Sequence, residues 1–162
     1  MIETRTEIRV RYADTDQMRL VYHAKYFEYF EQGRSDLMRS IGLPYSEVEM
    51  MGLYLPVLGA YARFRRPAKY DDLLVVRTML KEPPLAKIKL EYIITRNGDS
   101  EVLVEGYTIH AFVNAATGKV VRAPDKFSRI IRFHFSEWRD SEDHSLEGKE
   151  TITSKAKSIK GG

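Results

Sequence analysis

Apolar and polar residues alternate at the start of the chain. From Thr4 to Tyr12 the even positions carry Thr, Thr, Ile, Val and Tyr, while Arg5, Glu7, Arg9 and Arg11 take the odd ones. A period of two predicts a strand with one buried face. The alternation breaks at Ala13, and a polar stretch holding Asp14 and Asp16 runs to Tyr22. The spacing then lengthens: Tyr26, Phe30, Gly33, Leu37 and Ile41 recur every three or four residues, predicting a helix over 24–41 that Gly42 and Pro44 stop. A glycine inside a helix costs about 1 kcal/mol relative to alanine. Gly33 is therefore expected to let this helix approach a sheet closely.

Beyond the helix the short period returns. Tyr45 to Met51 fits a short helical turn, and Leu53 opens an extended region interrupted by Pro56 and Gly59, with Pro67 marking an edge, bend or strand end. Leu73 to Leu80 reads as a strand ended by Pro83 and Pro84. Ala86, Ile88, Leu90, Tyr92 and Ile94 alternate up to a tight turn at Asn97-Gly98. A return strand is expected over 101–114, followed by a turn at Thr117-Gly118 and a further strand from about Lys119. Residues 124–135 fit either an extended end-piece or a short helix, and the apolar period is lost from Ser136 onward. One long helix followed by hairpin-linked strands predicts an α+β domain over 1–135, with the helix covering an antiparallel sheet, and a flexible tail over 136–162.

Composition narrows the function classes. A chain of 162 residues suits one domain with a substantial core. It has no cysteine, which excludes disulfides, thiolate nucleophiles and zinc–thiolate sites. The N-terminal MIETRTEIRVR lacks the apolar run of a signal peptide, and no segment approaches the length of a membrane span. A soluble, cytoplasmic protein is expected. The formal charge of +3 is spread among interleaved acids and bases, a balance that does not mark a nucleic-acid binder.

The residues able to do chemistry gather between the first strand and the helix. A carboxylate at Asp16, beside a helix start, would align itself or a water against a carbonyl, with orphan helix amides stabilising the oxyanion. The alternative is that Asp14 and Asp16 only organise the turn or cap the helix. His23 is a candidate to polarise a carbonyl or to serve through its backbone amide, against a packing or surface role. Tyr12 is a candidate to orient a ligand, although an aromatic on the buried side of a strand is more simply core. Asp14, Asp16 and His23 do not have the spacing of a known metal motif, and no metal or separate cofactor is expected. Arg65, Arg66 and Lys69, with Arg63, form the densest basic cluster. They are candidates to meet phosphates or to lie on a solvated strand edge.

The stretch YADTDQMRLVYHAKYFEYFEQGR, followed later by PAKYDDLLVVRTML, resembles the hotdog-fold acyl-CoA thioesterases, in particular the 4-hydroxybenzoyl-CoA and YbgC-like group, over residues 3–134. The resemblance implies a long helix wrapped by a curved antiparallel sheet, and a homodimer joined through its sheets that assembles to a homotetramer with active sites between subunits. It implies acyl-CoA hydrolysis, with acyl-carrier protein as an alternative donor and coenzyme A as part of the substrate. Asp16 then acts as nucleophile or general base, Tyr12 and His23 take the neighbouring positions, and the His23 N–H is the oxyanion donor. Arg65, Arg66, Lys69 and Arg19 become candidate CoA contacts, and Val57, Leu58, Tyr61 and Phe64 candidate acyl-pocket residues. The group commonly has glycine where this chain has Arg19; glycine can supply a positive φ or room for close ligand approach, and arginine pays a steric cost for either role, so a reshaped loop and an altered substrate pocket are expected there. Two other readings stay open: a hotdog hydratase or dehydratase, and a noncatalytic acyl-thioester binding or assembly protein.

Overall fold

The computed structural model describes residues 1–137. Five strands form one antiparallel sheet: β1 (Ile2–Arg9), β3 (Val57–Phe64), β4 (Leu73–Leu80), β5 (Lys87–Arg96) and β6 (Val102–Ala111), in the order β1-β4-β5-β6-β3. A second, two-stranded sheet pairs β2 (Leu53–Tyr54) with β7 (Val113–Asn114). The long helix α1 (Lys25–Ser40) is followed by α2 (Tyr45–Met50), and a third helix, α3, spans 125–137.

The buried stripe of α1 is Tyr26, Tyr29, Phe30, Gly33, Leu37 and Met38, and it crosses the inner face of the sheet. Phe30 stacks on Tyr92 of β5 with centroids 4.3 Å apart, and both side chains are almost fully buried. Burial of a side chain of this size contributes about 1.5–3 kcal/mol. Gly33 lies on β4 as expected: a Cβ there would collide with Thr78 Oγ1 and press on Val76. Gly106 of β6 plays the matching part from the sheet, because a Cβ at that position would strike the Phe30 ring and the Tyr61 carbonyl. The result is the α+β hotdog arrangement, a helix held in a curved antiparallel sheet.

Several boundaries differ from the sequence reading. β1 ends at Arg9, and Tyr12–Asp14 form a 3-10 turn in which the Asp14 carboxylate accepts the Arg11 N–H at 3.1 Å. Tyr12 is therefore on no strand and in no core; it is 79% exposed. The expected strand from Lys119 is a single bridge between Val113 and Val120. The segment expected over 124–135 is helical from residue 125, with Phe127, Ile131 and Phe135 packed into the core and Phe127 edge-on to Phe112 at 5.0 Å. Of the expected tail, residues 138–162 lie outside the described residues. No helix among the described residues is long and apolar enough to cross a membrane.

Candidate active site

Asp16 sits in a small hairpin between β1 and α1. The Asp16 N–H donates to Leu20 O at 2.8 Å, Tyr22 N–H donates to Asp14 O at 2.8 Å, and Thr15 bridges Val21. Within it the Asp16 carboxylate folds back on its own loop: Oδ1 accepts Met18 N–H at 2.8 Å and Leu20 N–H at 3.3 Å. Oδ2 receives no hydrogen bond among the described residues. One oxygen is thus oriented by amides while the other keeps its lone pairs. The hairpin needs a left-handed residue, and Arg19 supplies it with φ 61°. The backbone demand that glycine would meet is therefore real, and arginine meets it.

The two aspartates have separate duties. Asp14 is 1% exposed and accepts hydrogen bonds from Arg11 N, Arg11 Nη2 and Tyr29 Oη. Burial alone would raise its pKa, but the bonds from Arg11 and Tyr29 outweigh it and hold the carboxyl below its usual range. Asp14 is the structural acid of the turn. Asp16 both organises the hairpin and presents an unengaged oxygen.

His23 lies immediately before α1. The N–H groups of Lys25, Tyr26 and Phe27 donate to the carbonyls of Tyr22, His23 and Ala24. Those of Ala24, the N-cap residue, and of His23 before it have no protein acceptor among the described residues. Asp16 and His23 line one cavity of about 400 Å³, whose wall also includes Met18, Leu20, Tyr26 and Phe64, with Arg65 and Arg66 at its side. Phe64 closes it against the helix, 5.5 Å from the Tyr26 ring and 6.3 Å from the His23 ring.

The other sequence candidates are dispersed. Tyr12 shares with Asp16 a different cleft, of about 570 Å³, together with Gln17, Tyr22 and Lys25, and its ring meets Tyr70 edge-on at 5.9 Å. Of the four acyl-pocket candidates only Phe64 lines the Asp16 cavity. Val57 and Leu58 are exposed on the edge strand β3, and Tyr61 stacks on Tyr107 at 5.4 Å over a separate cavity on the other side of the sheet. Arg65 is tied to Glu105 at 2.6 Å and Arg66 to Glu101 at 3.2 Å. Lys69 bridges Leu20 through its backbone but is outside the cavity wall, and Arg19 is exposed in the hairpin. Among the described residues no three His, Cys, Asp or Glu side chains converge as metal ligands. The residues missed by the sequence reading are Met18, Leu20 and Val21 on the cavity wall and Tyr29 behind it. Tyr29 had a signal in its spacing, three residues after Tyr26 on the buried face.

The chain is similar in sequence and in fold to known thioesterases. The family model described as the Thioesterase-like superfamily matches residues 10–131. The acyl-CoA thioesterase YbgC of Helicobacter pylori is 30% identical over 132 residues, covering 76% of this chain and 96% of that protein. The crystal structure of hypothetical protein TT1821 from Thermus thermophilus superposes with a TM-score of 0.73 at 36% identity, over 81% of this chain and 96% of that one. The DHNA-CoA thioesterase from Staphylococcus aureus superposes with a TM-score of 0.71 at 26% identity, over 93% and 96%. The motif around Asp16, the helix lying in its curved sheet and these matches together make the chain a member of the thioesterase-like superfamily, in its hotdog-fold branch related to the YbgC and 4-hydroxybenzoyl-CoA thioesterases.

Proposed function

We propose that the protein hydrolyses acyl-CoA thioesters to a carboxylic acid and free CoA. One observation carries the reading: Asp16, whose carboxylate has one oxygen without a hydrogen bond among the described residues, and His23, whose N–H has no protein acceptor among them, line the same cavity. A carboxylate there attacks the thioester carbonyl, or removes a proton from an attacking water. The His23 N–H stabilises the oxyanion as the C–S bond breaks and CoA thiolate leaves. On the first route an acyl–aspartyl anhydride forms and water then cleaves it to regenerate Asp16; on either route one water is consumed, its OH ending on the acid and its remaining proton on the thiolate. Leu20, Val21, Tyr26 and Phe64 give the cavity an apolar wall for the acyl group, and Arg65 and Arg66 flank it on the side where CoA phosphates would meet cations.

The edge strand β3 supports a homodimer. This strand is the edge of the five-stranded sheet, yet it exposes Val57, Leu58, Tyr61 and Phe64, a surface that edge strands ordinarily avoid unless it is paired. We infer that β3 pairs with its copy beside the cavity and that dimers assemble further to a tetramer. Light scattering on the purified chain tests the assembly, and a monomer at assay concentration would remove it.

The functional test is a thiol-release panel of short, long and aromatic acyl-CoAs, with acyl-carrier-protein thioesters included. Asp16→Asn should stay folded and lose at least tenfold in turnover. Unchanged turnover in that variant, or consumption of an unsaturated substrate without thiol release, would overturn the assignment.

A further inference from the structure

The hairpin that presents Asp16 is held on both arms by phenols from one face of α1. On the first arm, Tyr29 Oη donates to Asp14 Oδ2 at 3.0 Å, and the Asp14 carbonyl receives Tyr22 N–H, closing the root of the hairpin. On the second arm, Val21 N–H donates to Ala68 O at 2.9 Å, and Ala68 N–H donates to Tyr26 Oη at 3.2 Å. The two rings meet edge-to-face at 5.9 Å. Asp14, Ala68, Tyr26 and Tyr29 are all almost fully buried, so water does not compete for these bonds. The helix bearing both phenols follows directly on His23 and Ala24, whose N–H groups have no protein acceptor among the described residues.

We propose that Tyr26 and Tyr29 are positioning residues for thioester hydrolysis: their hydroxyls lock the hairpin 14–22 onto α1, so that the Asp16 carboxylate and the His23 N–H keep one fixed separation. This rests on the role of Asp16 given under Proposed function. Attack on a carbonyl held by an oxyanion donor tolerates little drift, and misplacement by about 1 Å can cost up to a hundredfold in rate. The loop itself is poorly able to supply that rigidity, since its tip residues Gln17, Met18 and Arg19 are exposed. The anchor has to come from below: Tyr29 reaches the hairpin directly at Asp14, and Tyr26 reaches it through Ala68, which holds Val21. Tyr29 must keep its proton to donate to Asp14, whereas Tyr26 Oη accepts from Ala68 N–H, and the pKa values of both phenols are raised. Burial pushes both upward, and for Tyr29 the bond to the Asp14 carboxylate adds to it. Tyr29 is the cleaner probe because, unlike Tyr26, it does not line the Asp16 cavity.

The experiment uses the full chain and an acyl-CoA that it turns over, with Tyr29→Phe made alone and in an Asp16→Asn background. Circular dichroism and size-exclusion chromatography check folding, and single-turnover rates read the residual activity. Tyr29→Phe should lower kcat five- to tenfold with KM within twofold of wild type. In the Asp16→Asn background the same change should add less than a twofold further loss, because a residue acting through Asp16 has nothing left to position. An equal fold-loss in both backgrounds, a rise in KM at constant kcat, or wild-type kcat would overturn the clamp. Tyr26→Phe carries the same test through the other arm should Tyr29→Phe not fold. Normal Tyr29→Phe kinetics beside an inactive Asp16→Asn protein refute the clamp alone, whereas a fully active Asp16→Asn protein removes the hydrolytic reading and the clamp together.

Discussion

Replacing Arg19 by glycine is expected to stabilise the protein. Arg19 holds φ at 61°, where a side chain crowds the following carbonyl at a cost of roughly 1–2 kcal/mol. Its guanidinium makes no hydrogen bond or ion pair among the described residues, so deletion forfeits no contact. Against this stands the wider freedom of glycine in the unfolded chain, roughly 0.5–1 kcal/mol. The balance is a gain of about 0.5–1 kcal/mol, or about 1–4 °C in Tm for a domain of this size. Arg19→Ala separates backbone from side chain, since it removes the guanidinium yet keeps the Cβ that causes the crowding. Urea and thermal melts at one fixed protein concentration should therefore rank Arg19→Gly above both Arg19→Ala and wild type. Equal stability of the Gly and Ala variants, or a Tm for Arg19→Gly more than 2 °C below wild type, would refute the reasoning. Kinetics on the same proteins examine the second role proposed for this residue: a guanidinium that meets a CoA phosphate should raise KM severalfold when removed, equally in the Gly and Ala variants.

Two further expectations concern the core. Gly33→Ala forces a Cβ into Thr78 and Val76 of β4, and overpacking of this kind should cost about 1–3 kcal/mol in a urea melt; a neutral substitution would show that α1 can lift from the sheet. His110, buried on β6 between Leu55 O at 3.1 Å and Thr108 Oγ1 at 3.0 Å and close to Arg34, has its pKa lowered to about 4 by burial and by the Arg34 charge. The folded state resists a proton that the unfolded histidine accepts near pH 6.5, so stability is complete above that pH and falls as pH drops toward 4, by up to about 3 kcal/mol. His110→Gln should flatten that part of the pH–stability profile, and an unchanged slope would place the proton elsewhere.

What the sequence made legible, and what it did not, divides along physical lines. Long-period features survived: the stripe from Tyr26 to Ile41 and the glycine at its centre are dictated by packing on one face, and the packing is what the structure contains. The misreadings lie where one residue changes the phase. The alternation up to Tyr12 continues on paper, but Asp14 captures the Arg11 amide and turns the chain, leaving Tyr12 in solvent; an acceptor three residues after Arg11 was the available cue. In β3 an irregularity between Val57 and Gly59 shifts the register, so Val57 pairs with His110 and Tyr61 with Tyr107. Tyr61 and Phe64, both beyond that irregularity and three residues apart, fall on opposite faces by strand alternation alone, which leaves Tyr61 out of the Asp16 cavity. The site itself was legible as a neighbourhood of Asp16 and His23. Its supports were not, because Tyr26 and Tyr29 look like ordinary core aromatics until their hydroxyl partners are seen.

The deepest consequence concerns the pair Asp14 and Asp16, two carboxylates one residue apart that a sequence cannot rank. Their lone pairs rank them. Asp14 spends both oxygens on Arg11 and Tyr29 inside the protein, whereas Asp16 spends one oxygen on two loop amides and keeps the other. An amide at position 14 turns one acceptor into a donor facing other donors, and leaving such groups unmatched costs about 1–3 kcal/mol. At position 16 the amide oxygen can keep the Met18 and Leu20 bonds while its nitrogen takes the place of the unengaged oxygen, so stability should change by less than about 1 kcal/mol. Asp14→Asn should therefore lower the urea midpoint clearly and Asp16→Asn should barely move it, with turnover collapsing in the second although its fold is intact. If Asp16→Asn proves the more destabilised of the two, the carboxylate at 16 is a part of the scaffold, and a chemical role for it loses its physical basis.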